Sequence, residues 1–290
     1  MLRAGKMLLT AGLGLLAATI AIQGAASPAA LRVNGSTTVN PVVVEAAEIL
    51  RRERGLAIQV DTQGGSSGGM AALGEGRTEV AMVSRPLIDE DRAHFPKARF
   101  QAARIGLDGV ALVVSRDVWQ GGVRTLTKVQ ISGLYEGRIK NWKEIGGPNR
   151  RVVFFNKEAG RGTWEVFARW LYGDPKAAPL VNLPEVGSNE EGRSKVTATP
   201  GSISQLSAAW ADGQHVFAVG IRDDGGKVIS PTPAAILDGG YPLSRPLILV
   251  TNGPPQGAAK ALIDLLLSPR GQALMRKNGY EPIAGGGPAR

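Results

Sequence analysis

From residue 31 onward, short apolar runs alternate with amphipathic segments, and that alternation restricts the chain to an α/β layout. Leu31–Val33, Ile58–Thr62, Glu79–Val83, Val152–Phe155, Val216–Ile221 and Pro246–Val250 read as strands. Pro41 to Arg54 reads as a helix, with Asn40 as its cap and proline at its first position. Leu126–Tyr135, Trp164–Leu171 and Gly257–Leu267 read as further helices, the last continued by Ser268 to Arg276. Ile105–Ser115 is the longest apolar strand and is interrupted by Asp108-Gly109, so it suits a strand crossing between two lobes with the break as hinge. The stretch 173–202 is rich in Pro, Gly and Ser and stays unassigned.

The start of the chain sets the compartment. Arg3 and Lys6 precede an apolar run from Met7 to Ile22, and small residues follow at Gly24, Ala25, Ala26 and Ser27. That order is a secretory signal peptide spanning 1–26, cut after Ala26. The apolar run is shorter than the roughly 20 residues of a spanning helix. A periplasmic protein is expected, and with no cysteine there is no disulfide, no thiolate and no cysteine-linked lipid anchor. The formal charge of +9 favours anionic partners. Nucleic acid is not among the expected ones, because aromatics make up only 5% and the basic residues are scattered. Arg51, Arg52 and Arg54 read as the solvated end of a helix.

Catalysis has little footing. His94 and His215 are the two histidines, no Gly-x-Ser-x-Gly elbow occurs, and no metal-ligand spacing is present. A non-enzymatic protein without cofactor or metal is expected. What stands out instead is three loops that pair glycine with hydroxyls ahead of a helix. They are Gly35-Ser36-Thr37-Thr38, Gly64-Gly65-Ser66-Ser67-Gly68-Gly69 and Gly160-Arg161-Gly162-Thr163. A helix start offers unpaired N–H groups and partial positive charge, glycine admits a close ligand, and Ser or Thr adds a donor. Each loop taken singly is also an ordinary cap and turn.

GSTTVNP at 35–41, GGSSGG at 64–69, EVAMVSRPL at 79–87 and LDGVALVVS at 107–115 occur in this order. LTKVQISGLYEGRIKNWKEIGG at 126–147, GRGTWEVF at 160–167, YPLSRPLIL at 241–249 and SPRGQALMRKNGYEPI at 268–283 complete the series. Over nearly its whole mature length the chain resembles the phosphate-binding proteins that serve bacterial phosphate ABC transporters. The resemblance implies a periplasmic-binding-protein fold of two α/β lobes joined by a two-strand hinge, with the ligand cleft between them. Lobe 1 would take 31–108 plus 246–290 and lobe 2 would take 109–245. It also implies a monomer that captures inorganic phosphate and hands it to an inner-membrane permease.

Carried over by position, the resemblance places ligand contacts at Thr37, Thr38, Ser66, Ser84, Gly162 and Thr163, with Lys157 and Arg161 as the departures to watch. Lys157 stands where the family has an arginine, which keeps the charge but loses the bidentate fork. Arg161 stands where the family has a small serine. Its guanidinium can supply the missing grip, point outward, or fill the cleft. In the last case the chain would be a divergent envelope sensor or interaction module. Ser84 stands where some members have aspartate. A hydroxyl can donate or accept, so weaker rejection of sulfate is expected than an aspartate would give.

Overall fold

The computed structural model describes residues 30–283, so the expected signal segment at 1–26 lies outside the described residues. The chain opens with β1 (Leu31–Gly35), α1 (Asn40–Arg54), β2 (Ile58–Asp61), α2 (Gly65–Gly74), β3 (Val80–Val83) and α3 (Asp89–Ala93). β4 (Phe100–Ser115) leads into α4 (Arg116–Gln120), β5 (Thr125–Thr127), α5 (Lys128–Tyr135), β6 (Val153–Lys157) and α6 (Gly162–Tyr172). Next come β7 (Glu185–Val186), α7 (Asn189–Ala198), β8 (Ser202–Ser207), β9 (Val216–Ala218), β10 (Gly220–Arg222), β11 (Val228–Ile229) and α8 (Pro233–Leu237). β12 (Ser244–Asn252), α9 (Gly257–Leu267) and α10 (Pro269–Lys277) close the described chain.

α1 shows how sequence makes these elements. Val39, Val42, Val43, Ala46 and Leu50 recur at helical spacing and are buried, each stabilising by about 1.5–3 kcal/mol for a full aliphatic side chain. Proline occupies the first turn, and Gly55 ends the helix at φ 65, a left-handed position that suits glycine. The cap differs from the expected Asn40: Val39 holds that position, with no side-chain cap bond. Here the amide work falls to Ser36, whose Oγ accepts from the Thr38 N–H at 3.1 Å.

The large sheet runs β2-β1-β3-β12-β4-β8-β6-β7, with β9 also paired to β4, and a small sheet runs β11-β10-β5. β4 pairs with β12 from Phe100 to Gly109 and with β8 from Val110 onward. β4 and β12 therefore carry the chain between two lobes. The strand begins earlier than Ile105 and Asp108-Gly109 does not break it, because antiparallel pairing with Arg245 and Ser244 continues through both residues. One core gathers Val33, Val42, Leu50, Met82, Leu249 and Leu262, and the other gathers Leu112, Trp142, Phe154, Phe167, Ile203 and Leu243. Two further expectations shift. The 173–202 stretch contains β7 and α7, and Val216–Ile221 divides into β9 and β10. No helix among the described residues is long and apolar enough to cross a membrane.

Candidate functional site

The carboxyl ends of β1, β3 and β6 open toward one point, where loops feed the starts of α1, α2 and α6. The backbone there has no slack. Gly35 sits at φ 138, and a Cβ on it would lie 2.2 Å from the Met82 carbonyl oxygen. Gly64 turns left-handed at φ 72, and α2 starts at Gly65. The Gly-Ser-Ser-Gly-Gly run is thus the first turn of a helix, with Ser66 fully buried.

Five hydroxyls meet at this point. Ser36 Oγ lies 2.8 Å from Ser84 Oγ, and the Ser84 N–H donates to Ser66 Oγ at 3.1 Å. Gly162, at the start of α6, presses on the same pair: a Cβ there would stand 2.6 Å from Ser66 Oγ and 2.7 Å from Ser84 Oγ. Thr163 follows, buried, with its hydroxyl accepting from Arg245 at 2.9 Å. Thr38 Oγ1 accepts from Asn189 Nδ2 at 3.0 Å and from Arg245 Nη2 at 3.2 Å. Thr37 is half-buried at the mouth of α1 and takes no part in these bonds.

Arg245 is the cation at the centre. It lies on β12 directly opposite Asp108 of β4, so it sits on the strands that join the lobes. Its Nε and Nη2 donate to Asp108 Oδ2 at 3.0 and 2.7 Å, and its Nη1 also reaches the Ser84 carbonyl and Oγ at 3.2 and 3.3 Å. Asp108 Oδ1 accepts from Ser207 Oγ at 2.9 Å. Burial pushes the Asp108 carboxyl up and Arg245 works against that. With both oxygens accepting, the geometry is that of an ionised acid.

Lys157, at the end of β6, is 1% exposed and donates to the Ser188 carbonyl. Burial, helped by Arg161 and Arg245 nearby, pushes its ammonium down to about 7. The Arg161 guanidinium goes elsewhere: to Glu158 Oε2 at 2.9 and 2.6 Å and to the Thr62 carbonyl at 3.2 Å. It bonds none of Ser36, Ser66, Ser84 or Thr163. Trp164 packs inside the second lobe, donating to the Tyr135 hydroxyl at 3.2 Å.

Other contacts bind one lobe to the other beside the cluster. The Ser67 N–H donates to the Gly160 carbonyl at 3.1 Å, and Ser67 Oγ donates to Glu165 at 2.8 Å. Arg85 joins Asp91 at 2.7 and 2.8 Å to Glu165 at 2.5 Å, all three nearly buried. The two histidines stand apart, His94 on the Glu90 carbonyl and His215 on Asp212.

Arg245, Asn189 and Ser36 were not among the expected contacts. The first had a readable signal. Arg245 is the one charge of β12 and Asp108 the one acid of β4, each beside apolar residues, and buried charges of that kind require each other. Asn189 had none, because it lies in the unassigned 173–202 stretch.

The family described as PBP superfamily domain matches residues 23–270. The phosphate-binding protein PstS of Bacillus subtilis strain 168 is 28% identical over 255 residues, covering 87% of this chain and 80% of its own. A Clostridium perfringens structure, described as a phosphate ABC transporter substrate-binding protein with bound phosphate, superposes with a TM-score of 0.75 at 28% identity. It covers 88% of this chain and 100% of its own. A Vibrio cholerae ABC-type phosphate transport receptor gives 0.68 at 25% identity, covering 87% of this chain and 100% of its own. The family match spans most of the chain, and the chain belongs to the PBP superfamily.

Proposed function

We propose that this protein captures inorganic phosphate between its lobes and delivers it to an ABC permease, acting as a binding protein rather than an enzyme. The observation that carries the reading is Arg245. One guanidinium, fixed on the strands that join the lobes, reaches hydroxyls of Ser84 and Thr38 on one side and Thr163 on the other. A tetrahedral oxyanion suits that ring because the hydroxyl protons can point at its oxygens while the guanidinium holds those hydroxyls in place and supplies the positive charge behind them. The matched relatives named for phosphate binding support the choice of ion. We place the lobes at 31–108 with 246–290 and at 109–245, since the β4 pairing changes partner between Gly109 and Val110. A periplasmic monomer carrying no cofactor completes the proposal.

The deciding experiment strips bound anion by unfolding and refolding, then titrates with phosphate calorimetrically at neutral pH. Micromolar or tighter binding, about −8 kcal/mol or better, is expected. No heat at millimolar phosphate would end the reading.

Arg161 enters as a strap rather than a ligand, since its guanidinium ties the β6–α6 loop to the Thr62 carbonyl of the first lobe. Arg161→Ala is therefore expected to weaken phosphate by roughly three- to tenfold, the net scale of one ordinary, partly exposed hydrogen bond across the cleft. The loss belongs in a faster dissociation rate, measurable by stopped flow. A hundredfold loss would place Arg161 on the ion, and a gain would make it a plug.

A further inference from the structure

We infer that Glu165 is a closure latch, a carboxylate of one lobe that enters a donor pocket of the other and sets how long a captured ion stays; the inference rests on the capture reading above. Glu165 lies in the first turn of α6, whose Phe167 and Leu171 pack in the core of the second lobe. Its partners are Arg85, which follows β3, and Ser67, in the first turn of α2, both in the first lobe.

Arg85 is held ready to receive that carboxylate. A guanidinium has five N–H donors in a rigid fork. Nη1 gives one to the Pro86 carbonyl at 3.0 Å and one to Asp91 Oδ2 at 2.7 Å. Nη2 gives one to Asp91 Oδ1 at 2.8 Å and one to Ser67 Oγ at 3.3 Å. Those four bonds stay inside the first lobe and fix the fork whether or not the lobes meet. Asp91 is itself fixed, accepting from the Ile88 N–H at 2.9 Å. Only the Nε–H crosses, to Glu165 Oε2 at 2.5 Å. The Ser67 hydroxyl, already accepting from Arg85, sends its proton to Glu165 Oε1 at 2.8 Å. Burial pushes the Glu165 carboxyl up, and Arg85 and Ser67 work against that. With each oxygen taking a donor from the opposite lobe, the bonding is that of an ionised acid.

Burial separates this pair from an ordinary surface ion pair. The Arg85 and Glu165 side chains are 2% and 4% exposed, so salt screens their attraction little. The pair is also asymmetric: parting the lobes costs Arg85 one bond of five, whereas Glu165 loses the donors on both its oxygens. Sequence registers the latch to the ion site. Ser67 follows Ser66, Arg85 follows Ser84, and Glu165 stands two residues past Thr163. Closure that brings Gly162 and Thr163 onto the cluster therefore seats the carboxylate in the same motion. A contact made only in the closed state slows release and leaves encounter unchanged.

The experiment compares the full chain with Glu165→Gln, which keeps the shape and removes the charge, following phosphate rates by stopped flow. Dissociation is expected to quicken by about tenfold or more, the scale of a hydrogen bond to a charged group, with association within about twofold of the parent. Ser67→Ala is expected to quicken release by about threefold, and the two changes together by less than the product of the singles, since both act through one carboxylate. Amide exchange in phosphate-free buffer reads the latch without an ion. The Ser67 N–H, bonded across the lobes to the Gly160 carbonyl, is expected to exchange faster in Glu165→Gln while the amides of β3 and β8 keep parental rates. Parental dissociation together with parental Ser67 exchange overturns the latch and leaves capture intact. An equal rise at every amide also overturns it, because lost global stability then explains the change. A parent that binds no phosphate overturns capture, and Ser67 exchange alone then decides the latch. Should Glu165→Gln fail to fold, Ser67→Ala, at a half-buried position, carries the dissociation and exchange tests.

Discussion

Replacing Arg245 together with its partner, as Arg245→Met with Asp108→Asn, is expected to leave a folded protein that binds phosphate at least a hundredfold more weakly. The pair must be changed together. Arg245 has no side-chain exposure and Asp108 has 1%, so removing one charge strands the other in the interior. Breaking a buried pair from one side costs about 3–5 kcal/mol, whereas removing both is often nearly neutral. Arg245→Met alone is thus expected to unfold at clearly lower urea with little change in slope. The binding loss follows from the lost positive charge and from releasing Ser84, Thr163 and Thr38, the hydroxyls that Arg245 holds; at about 1 kcal/mol for each hydrogen bond no longer aimed at the ion, three of them amount to a hundredfold or more. Calorimetry on the double variant, checked against its urea midpoint, separates the effects. Binding within fivefold of the parent would remove Arg245 from the ion.

The alternation of short apolar runs with amphipathic segments was enough to read the α/β class, and the Ser–Thr–Gly loops drew attention to the segments that hold Ser66, Gly162 and Thr163, whereas Ser84 came only through the family resemblance. Those signals are local. A glycine-hydroxyl turn before a helix has the same meaning wherever the chain later carries it. Convergence is not local. That Ser36 and Ser84 lie 2.8 Å apart depends on β1 and β3 being parallel neighbours, which no window around either residue contains. The direction of the Arg161 side chain depends on Glu158 and on the Thr62 carbonyl about a hundred residues away. At the sequence level, gripping, pointing outward and plugging were all compatible with an arginine in that loop, and a strap to the other lobe was not foreseen. Helix starts misled in a smaller way. Asn40 was the better cap by type, but the chain enters α1 with Ser36 already on the Thr38 N–H.

Lys157 gives the remaining large effect, and it is one of pH. Its ammonium faces Arg161 and Arg245, with Glu191 and Glu158 as the opposing charges. Those carboxylates are already engaged, Glu191 with Lys195 and Glu158 with Arg161. Burial first, and the two guanidinium groups second, hold the lysine down at about 7. Between about pH 7 and the ordinary lysine value near 10.4, the unfolded chain carries a proton that the folded chain lacks. The stability of the anion-free protein therefore rises with pH across that window, and the burial cost stands in full below pH 7. Lys157→Met removes that cost, so its Tm is expected to exceed the parent's by several degrees at pH 6, with the gap closing by pH 10. An arriving anion favours the charged lysine, so capture takes up a proton. Parental affinity is then expected to fall above pH 7, by up to tenfold per unit, relative to the variant in the same buffers. Taking the ratio cancels the phosphate's own titration, which is common to both proteins. A parent-to-variant affinity ratio flat from pH 6 to 9 would show that Lys157 keeps its proton state through binding, and that Arg245 supplies the positive field alone.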